Sequence, residues 1–278
     1  MKQVGALPDD VLLGIFDFYV DVSLRQEGRW MEVWQSPVHV CRRWRSLVFG
    51  SPRPYTVRDR LGVWPPLPLI VGGYMVSSGT VRTDNVIVAL EQSHRVCEVT
   101  LLGLAGWQLE QVLEPMQVPF PELTVLQLHS ELGTNGETLP VIPDLFLEGS
   151  APRLRLFELS GIPFPGLPNL HFSATHLVQL TLAKIPHSGY ISPEKIAALL
   201  SVLLNLRFLS LEFQFPQSRP GREVPSLPPT KRSILPALYD LRFKGVTEYL
   251  EELMTLIDAP QLDNMSITFF NQIEFNCP

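Results

Sequence analysis

The hydrophobic residues of this chain recur in a short motif that fills most of its length. An apolar residue is followed by two residues of any kind, a second apolar residue, one residue of any kind and a third apolar residue. Seven copies occur, at Val96, Val99 and Leu101; Leu123, Leu126 and Leu128; Leu154, Phe157 and Leu159; Leu177, Leu180 and Leu182; Leu206, Leu209 and Leu211; Leu238, Leu241 and Phe243; and Leu262, Met265 and Ile267. The alternation at the last two positions predicts a short strand with one buried face in each copy.

Between the copies, the apolar spacing changes to that of a helix. Three segments have apolar residues at i, i+3, i+4 and i+7, which predicts amphipathic helices. They are Leu109, Val112, Leu113 and Met116; Ile196, Leu199, Leu200 and Leu203; and Leu250, Leu253, Met254 and Ile257. Ser192 and Thr247 are predicted to cap the second and third helices. Four copies have a proline two residues ahead of their first apolar residue, which marks the loop that enters the strand. These prolines are Pro121, Pro152, Pro236 and Pro260.

The alternation of strand and helix has a loose period. The middle residues of successive copies lie 23 to 32 residues apart, and the copies from about Arg95 onward resemble leucine-rich repeats of an irregular kind. The resemblance implies a curved solenoid with short parallel strands on its concave side and helices on its convex side. A doubly wound enzyme domain also alternates strands and helices, but the glycine-rich loop typical after its first strand is absent. The predicted fold class is therefore α/β.

The first fifty residues follow a different pattern. Pro8 and the two aspartates after it favour the start of a helix, because the proline has no N–H to leave unbonded and the carboxylates complement the helix dipole. The apolar residues from Val11 to Val20 cover more than one helical stripe. A second helix is predicted over Ser36 to Gly50. A unit of this size is too small to bury all of this apolar surface, so the surplus indicates a partner.

Two stretches of this region carry a family resemblance. LPDDVLLGIF, from Leu7 to Phe16, and VCRRWRSLV, from Val40 to Val48, resemble the F-box family, specifically the F-box-like proteins abundant in fungi. The resemblance implies a small helical module that binds the Skp-type adaptor of a cullin-RING ubiquitin ligase. The matching positions, which would face the adaptor or the core of the module, are Leu7, Pro8, Leu12, Ile15, Phe16, Val40, Cys41 and Trp44. The link between the helices, Asp21 to Gln35, is longer than is usual for the family.

These patterns divide the chain into three parts. Residues 1–50 are the F-box-like module, residues 51–76 are a proline-rich linker with a first strand broken at Gly72 and Gly73, and residues 77–278 are the repeat domain. The widest spacing between copies comes from a proline-rich insertion, Gln214 to Leu235, which we interpret as a surface loop; a lid or a modification site is the alternative. Because only eight residues follow the last predicted strand, we expect a repeat domain that is incomplete at its C-terminus.

Composition narrows the classes of protein that fit. The 278 residues are 45% hydrophobic and 18% charged, which is enough for a large core, and the net charge of -6 argues against a nucleic-acid partner. The three cysteines, Cys41, Cys97 and Cys277, follow no disulfide or zinc pattern. No apolar run is long enough to span a bilayer, and the start of the chain does not resemble a secretory signal. We therefore expect an intracellular protein of the cytoplasm or nucleus, with no membrane partner.

No local motif for catalysis, for a metal or for a cofactor is present. The six histidines do not pair at metal-ligand spacing, and the chain has no nucleophile elbow, phosphate-binding loop or HExxH sequence. The leading hypothesis is a non-catalytic substrate-recognition subunit of an SCF-type ligase, with no cofactor. The alternative is a repeat scaffold without a ligase connection, in which the first helices are a cap. The predicted target-binding residues, between the last two apolar residues of the motif, are Gln127, Glu158, Thr181, Ser210 and Arg242.

Overall fold

A computed structural model describes residues 11–12, 61, 68–75, 80–130, 140–164, 174–216 and 232–270. The chain divides into two compact units, Met1–Thr56 and Val57–Pro278. In the first unit the described residues are Val11 and Leu12, which are helical; Val11 is exposed and Leu12 is buried. The remaining residues of the two predicted N-terminal helices lie outside the described residues.

The second unit alternates strands and helices. Its strands are β1 (Leu69–Tyr74), β2 (Val96–Leu104), β3 (Val125–Ser130), β4 (Leu156–Ser160), β5 (Gln179–Ile185), β6 (Phe208–Phe213), β7 (Ser233–Ile234), β8 (Asp240–Gly245), β9 (Ile257–Asp258) and β10 (Asn264–Phe269). Its helices are α1 (Thr80–Leu90), α2 (Gly106–Leu113), α3 (Pro193–Leu200) and α4 (Thr247–Leu256), with 3-10 turns at Phe146–Gly149 and His187–Gly189. Each of the seven motif copies coincides with a strand, which confirms that prediction.

Eight of the strands form one parallel sheet. Their order in space follows the chain, β1-β2-β3-β4-β5-β6-β8-β10, while β7 and β9 pair separately. The middle residue of each motif copy lies opposite the middle residue of the next, in the series Val99, Leu126, Phe157, Leu180, Leu209, Leu241 and Met265. The predicted α/β fold class is therefore confirmed, with a parallel sheet of eight strands.

A repeated turn sets this register. Ahead of each of six strands, the backbone N–H of the first motif residue donates to the carbonyl oxygen three residues earlier, at 3.0 to 3.3 Å. The turns are 120–123, 151–154, 174–177, 203–206, 235–238 and 259–262. In four of them the second residue is proline, whose fixed φ suits that position of the turn. The same turn thus starts each of these six strands at the same point of the repeat.

The apolar residues of the motif form the core together with the helices. From β2 to β8 every motif residue is at most 3% exposed. The apolar stripes of α2, α3 and α4 join the same cluster, through residues such as Val112, Leu200 and Leu253. None of the described helices has both the length and the hydrophobicity needed to cross a membrane.

Several local predictions are tested by the structure. Ser192 caps α3 as predicted, because its hydroxyl accepts a hydrogen bond from the N–H of Lys195. The cap of α4 is Val246, and Thr247 is its first helical residue, so that prediction is wrong by one position. β1 runs without a break through Gly72 and Gly73, which pair with β2, so the predicted interruption is also wrong.

Two further segments bear on the sequence predictions. Helix α1 was not predicted. At the end of the insertion Gln214 to Leu235, Ser233–Ile234 forms a strand that pairs with β9, so this part of the insertion is ordered structure rather than a plain surface loop. Residues 217–231 of the insertion, and the last eight residues of the chain, lie outside the described residues.

Candidate functional site

A row of polar residues crosses the sheet on the face opposite the motif core. Each of these residues stands between the last two apolar residues of a motif, so its side chain takes the other face of the strand. The pairing register places them side by side in the order Thr100, Gln127, Glu158, Thr181, Ser210, Arg242 and Ser266. We call this set the polar row. The structure brings all five predicted target-binding residues together in it.

One end of the polar row is a chain of hydrogen bonds. The hydroxyl Oγ1 of Thr100 donates to Oε1 of Gln127 at 3.1 Å. The amide Nε2 of Gln127 in turn donates to Oε2 of Glu158 at 2.7 Å. Because a carboxylate only accepts, the direction of the chain is fixed, and the three side chains hold one another in place.

His129 also lies at this end of the row, although no sequence pattern selects it. Its Nε2 atom lies 3.0 Å from Oε1 of Glu158 and has no hydrogen bond of good geometry among the described residues, so the contact is an ion pair when the imidazole is protonated. The pKa of Glu158 lies below its ordinary value because of this contact with His129; burial acts in the opposite direction, and the hydrogen bond from Gln127 adds to the lowering. The carboxylate is therefore held in its charged form.

The middle of the row is buried. Thr181 is 9% exposed and Ser210 is 2% exposed. The hydroxyl of Ser210 donates to Oε1 of Glu212 at 3.1 Å. The hydroxyl oxygen of Thr181 is buried and has no hydrogen-bond partner in the described part of the chain. Such a group costs about 1–3 kcal/mol, and a ligand that reached it would offset this cost.

The other end of the row is open and charged. Arg242 is exposed, lies 3.7 Å from Oδ1 of Asp240, and has its guanidinium 5.0 Å from the ring centroid of Phe208. An open groove of about 540 Å³ begins here and is also lined by Lys244 and Ser266. The row thus passes from a hydrogen-bonded end, through a buried centre, to a groove that presents both signs of charge.

The described residues offer no alternative centre for metal or thiol chemistry. No three His, Cys, Asp or Glu side chains of these residues are gathered where they could hold a metal ion. Cys97 is a free thiol that donates to the carbonyl oxygen of Leu69 at 3.3 Å. Its pKa is raised because it is partly buried and because the carboxylate of Glu98 is near, so it is not an activated thiolate.

Of the eight predicted adaptor-binding positions, the structure describes Leu12, which is buried. The other seven lie outside the described residues: Leu7, Pro8, Ile15, Phe16, Val40, Cys41 and Trp44. Their role stays a prediction from the sequence. In comparisons of the whole chain with known proteins, no protein-family model matches it and no curated protein is significantly similar to it.

Proposed function

We propose that this protein is a non-catalytic recognition subunit that binds a target protein through the polar row. The observation that carries the proposal is the alignment of seven consecutive side chains from seven neighbouring strands. At about 4.8 Å per strand, this row extends for about 29 Å. That length suits a protein interface of ordinary size, and a small metabolite would contact only a few of the strands.

The chemistry of the row also suits a protein partner. Its hydrogen-bonded end is fixed before any ligand arrives, which lowers the entropy lost on binding. The groove near Arg242 offers charges of both signs, which favours specific pairing with a polar surface. We infer that Gln127, Glu158 and Arg242 supply contacts, and that Thr181 becomes hydrogen-bonded when the target is present.

We further propose that residues 77–278 form an irregular leucine-rich-repeat solenoid. Two observations support this. The strands follow chain order in one parallel sheet, and the same turn starts six of them. In such an architecture each repeat packs on its neighbours, and the exposed strand face is a common place to bind protein.

The ligase connection rests on the sequences LPDDVLLGIF and VCRRWRSLV. We propose that they belong to an F-box-like module that docks on a Skp-type adaptor, while the polar row holds a target for ubiquitin transfer by other subunits. The contribution of this chain to the chemistry would be proximity alone. Its place of action would then be the cytoplasm or the nucleus.

Co-purification of the full chain with a Skp-type adaptor tests the docking step. We expect the wild type to retain the adaptor and the variant Leu12→Asp with Trp44→Ala to lose it. Val11→Asp is a matched control, because it adds the same charge at a neighbouring exposed position of the same helix. Circular dichroism of each variant separates loss of docking from unfolding. A soluble wild type that does not bind the adaptor would contradict the ligase connection and would favour a repeat scaffold whose first helices are a cap.

A separate experiment tests the polar row. Cross-linking and capture of the target compare the wild-type chain with two double variants. The row variant is Gln127→Ala with Arg242→Ala, and the control variant is Lys195→Ala with Glu251→Ala. The control residues are exposed on α3 and α4, away from the row. We expect a target to be bound by the wild type and the control and to be lost, by about tenfold or more, with the row variant. Equal binding by all three would contradict the assignment of the row.

A further inference from the structure

A second groove lies at the edge of the sheet where the strands begin. Its volume is about 560 Å³, and it is lined in part by Arg153, Arg155, His176, Val178, Asn205 and Arg207. Two repeated positions build it. Arg153, His176 and Asn205 are the third residues of the turns before β4, β5 and β6. The other three stand two residues further along, just before the same strands.

The order of the residues across this groove is charged, apolar, charged. The N–H of Val178 donates to the carbonyl oxygen of Arg155 at 2.8 Å, and the N–H of Arg207 donates to that of Val178, also at 2.8 Å. Neighbouring strands are about 4.8 Å apart. The two arginines therefore leave the sheet about 10 Å apart, with the apolar Val178 between them.

The two outer arginines are available to a ligand. Both are exposed, and neither forms an ion pair or a side-chain hydrogen bond with another described residue. By contrast, Arg153 pairs with Glu122 at the rim, and the amide of Asn205 donates to a backbone carbonyl at 2.9 Å. The site thus has two free guanidinium groups and no free carboxylate among its described lining residues.

Two acidic residues on the strands beyond Arg207 have partners of their own. Asp240 lies against Arg242, at 3.7 Å, and Asp263 accepts a hydrogen bond of 2.7 Å from the hydroxyl of Tyr239. Neither of these carboxylates forms an ion pair with Arg207. An unpaired guanidinium at the surface is a good donor to a carboxylate, which it can bind through two parallel hydrogen bonds.

We propose that this groove binds an acidic polypeptide segment, with one carboxylate on Arg155, one on Arg207 and an apolar residue over Val178. In a polyproline II segment, residues three apart lie on the same side, about 9 Å from each other, which matches the separation of the arginines. A single phosphate would have to sit over the apolar Val178 or bind only one arginine.

This site is distinct from the polar row, so its test does not depend on the adaptor or on the target proposed above. The probe is a fluorescein-labelled peptide, Gly-Glu-Pro-Ala-Glu-Gly, added to the full chain at low ionic strength. A peptide of the same composition with adjacent glutamates tests the spacing. We expect the first peptide to bind more tightly than the second, by about threefold or more. Added salt should release it.

Substitutions of the arginines test the site itself. Arg155→Gln with Arg207→Gln should weaken binding of the first peptide about tenfold. Arg155→Lys with Arg207→Lys keeps the charge but loses the planar fork, so the loss should be smaller, about threefold. Lys195→Gln with Arg232→Gln changes the net charge by the same amount at exposed positions outside the groove and should leave binding unchanged.

Four outcomes would overturn the inference. They are no binding of either peptide by the wild type, equal binding by the double glutamine variant, equal binding of the two peptides, and competition by inorganic phosphate at concentrations below those of the peptide. The last would assign the groove to a phosphate ligand.

Because both arginines are exposed and unpaired, all variants should unfold at the wild-type temperature, and a thermal melt of each one checks this.

Discussion

Strands β5 and β10 carry the same motif in the same register of one sheet, yet their apolar side chains differ in burial. Leu180 and Leu182 of β5 are 1% and 0% exposed, whereas Met265 and Ile267 of β10 are 45% and 38% exposed. β5 lies between β4 and β6, while among the described strands β10 pairs in the sheet only with β8. The motif decides which face a side chain takes, and the neighbouring repeats decide whether that face is covered.

The polar row differs in the same way between these two strands. Thr181 of β5 is buried, and Ser266 of β10, three positions further along the row, is exposed. A residue in the middle of the row therefore responds to substitution through packing and hydrogen bonding. At the end of the row the effect should fall mainly on binding, because few of the described residues surround the side chain.

The largest expected difference is between two alanine substitutions in the apolar face. Leu182→Ala should destabilise the protein by about 2–5 kcal/mol, since it leaves a cavity in a covered core. Ile267→Ala removes a side chain of the same volume from an open face and should cost about 1 kcal/mol or less. Urea unfolding of both variants measures the difference. Equal costs would show that the face of β10 is covered in solution.

A volume-conserving substitution is the control for this pair. Leu182→Met keeps the cavity filled and should cost less than about 1.5 kcal/mol. A loss as large as that of Leu182→Ala would mean that the shape of the side chain, rather than the volume it fills, controls stability at this position.

A smaller effect is expected in the hydrogen-bonded end of the polar row. Glu158→Gln should cost about 1 kcal/mol at neutral pH, because it removes the charge held by His129 and by the N–H of Gln127. Asp240→Asn, which affects only the 3.7 Å contact with the exposed Arg242, should change stability by less than about 0.5 kcal/mol.

The pH dependence of the Glu158 variant has a definite sign. The pKa of Glu158 is lower in the folded protein than its ordinary value of about 4.3. The stabilisation is therefore complete above that value and is lost as the pH falls through the folded-state pKa. Unfolding curves at several pH values should show wild type and Glu158→Gln converging under acid conditions. A difference that is constant with pH would mean that the charge of Glu158 is not the cause.

The elements that could be predicted from the sequence are those with a local cause. Seven of the strands carry a copy of the motif, and four of these copies have a proline two residues ahead that lies in the turn before the strand. The alignment of the polar row also follows from the alternation along a strand, once the copies are placed in register. The F-box-like residues other than Leu12 lie outside the described part of the chain, so that assignment stays a prediction.

The features that were missed depend on neighbouring strands or on a weak local pattern. His129 reaches Glu158 only because β3 and β4 are adjacent, and nothing in its own sequence neighbourhood indicates this contact. The groove between Arg155 and Arg207 requires three strands at once. Helix α1 contains Val86, Ile87 and Val88 in succession, a run that favours a strand over a helix when read alone. In each case the feature depends on packing against other parts of the chain, which the local sequence does not indicate.

The smallest expected effect separates packing from recognition in the middle of the polar row. Thr181→Val keeps the shape of the side chain and removes a buried hydroxyl that lacks a hydrogen-bond partner, so stability should be unchanged or rise by up to about 1 kcal/mol. Thr268→Val, on the exposed strand β10, should stay within about 0.5 kcal/mol of the wild type. If target binding falls while stability does not, the hydroxyl of Thr181 is kept for the partner. A clear loss of stability would instead show that it is hydrogen-bonded in solution.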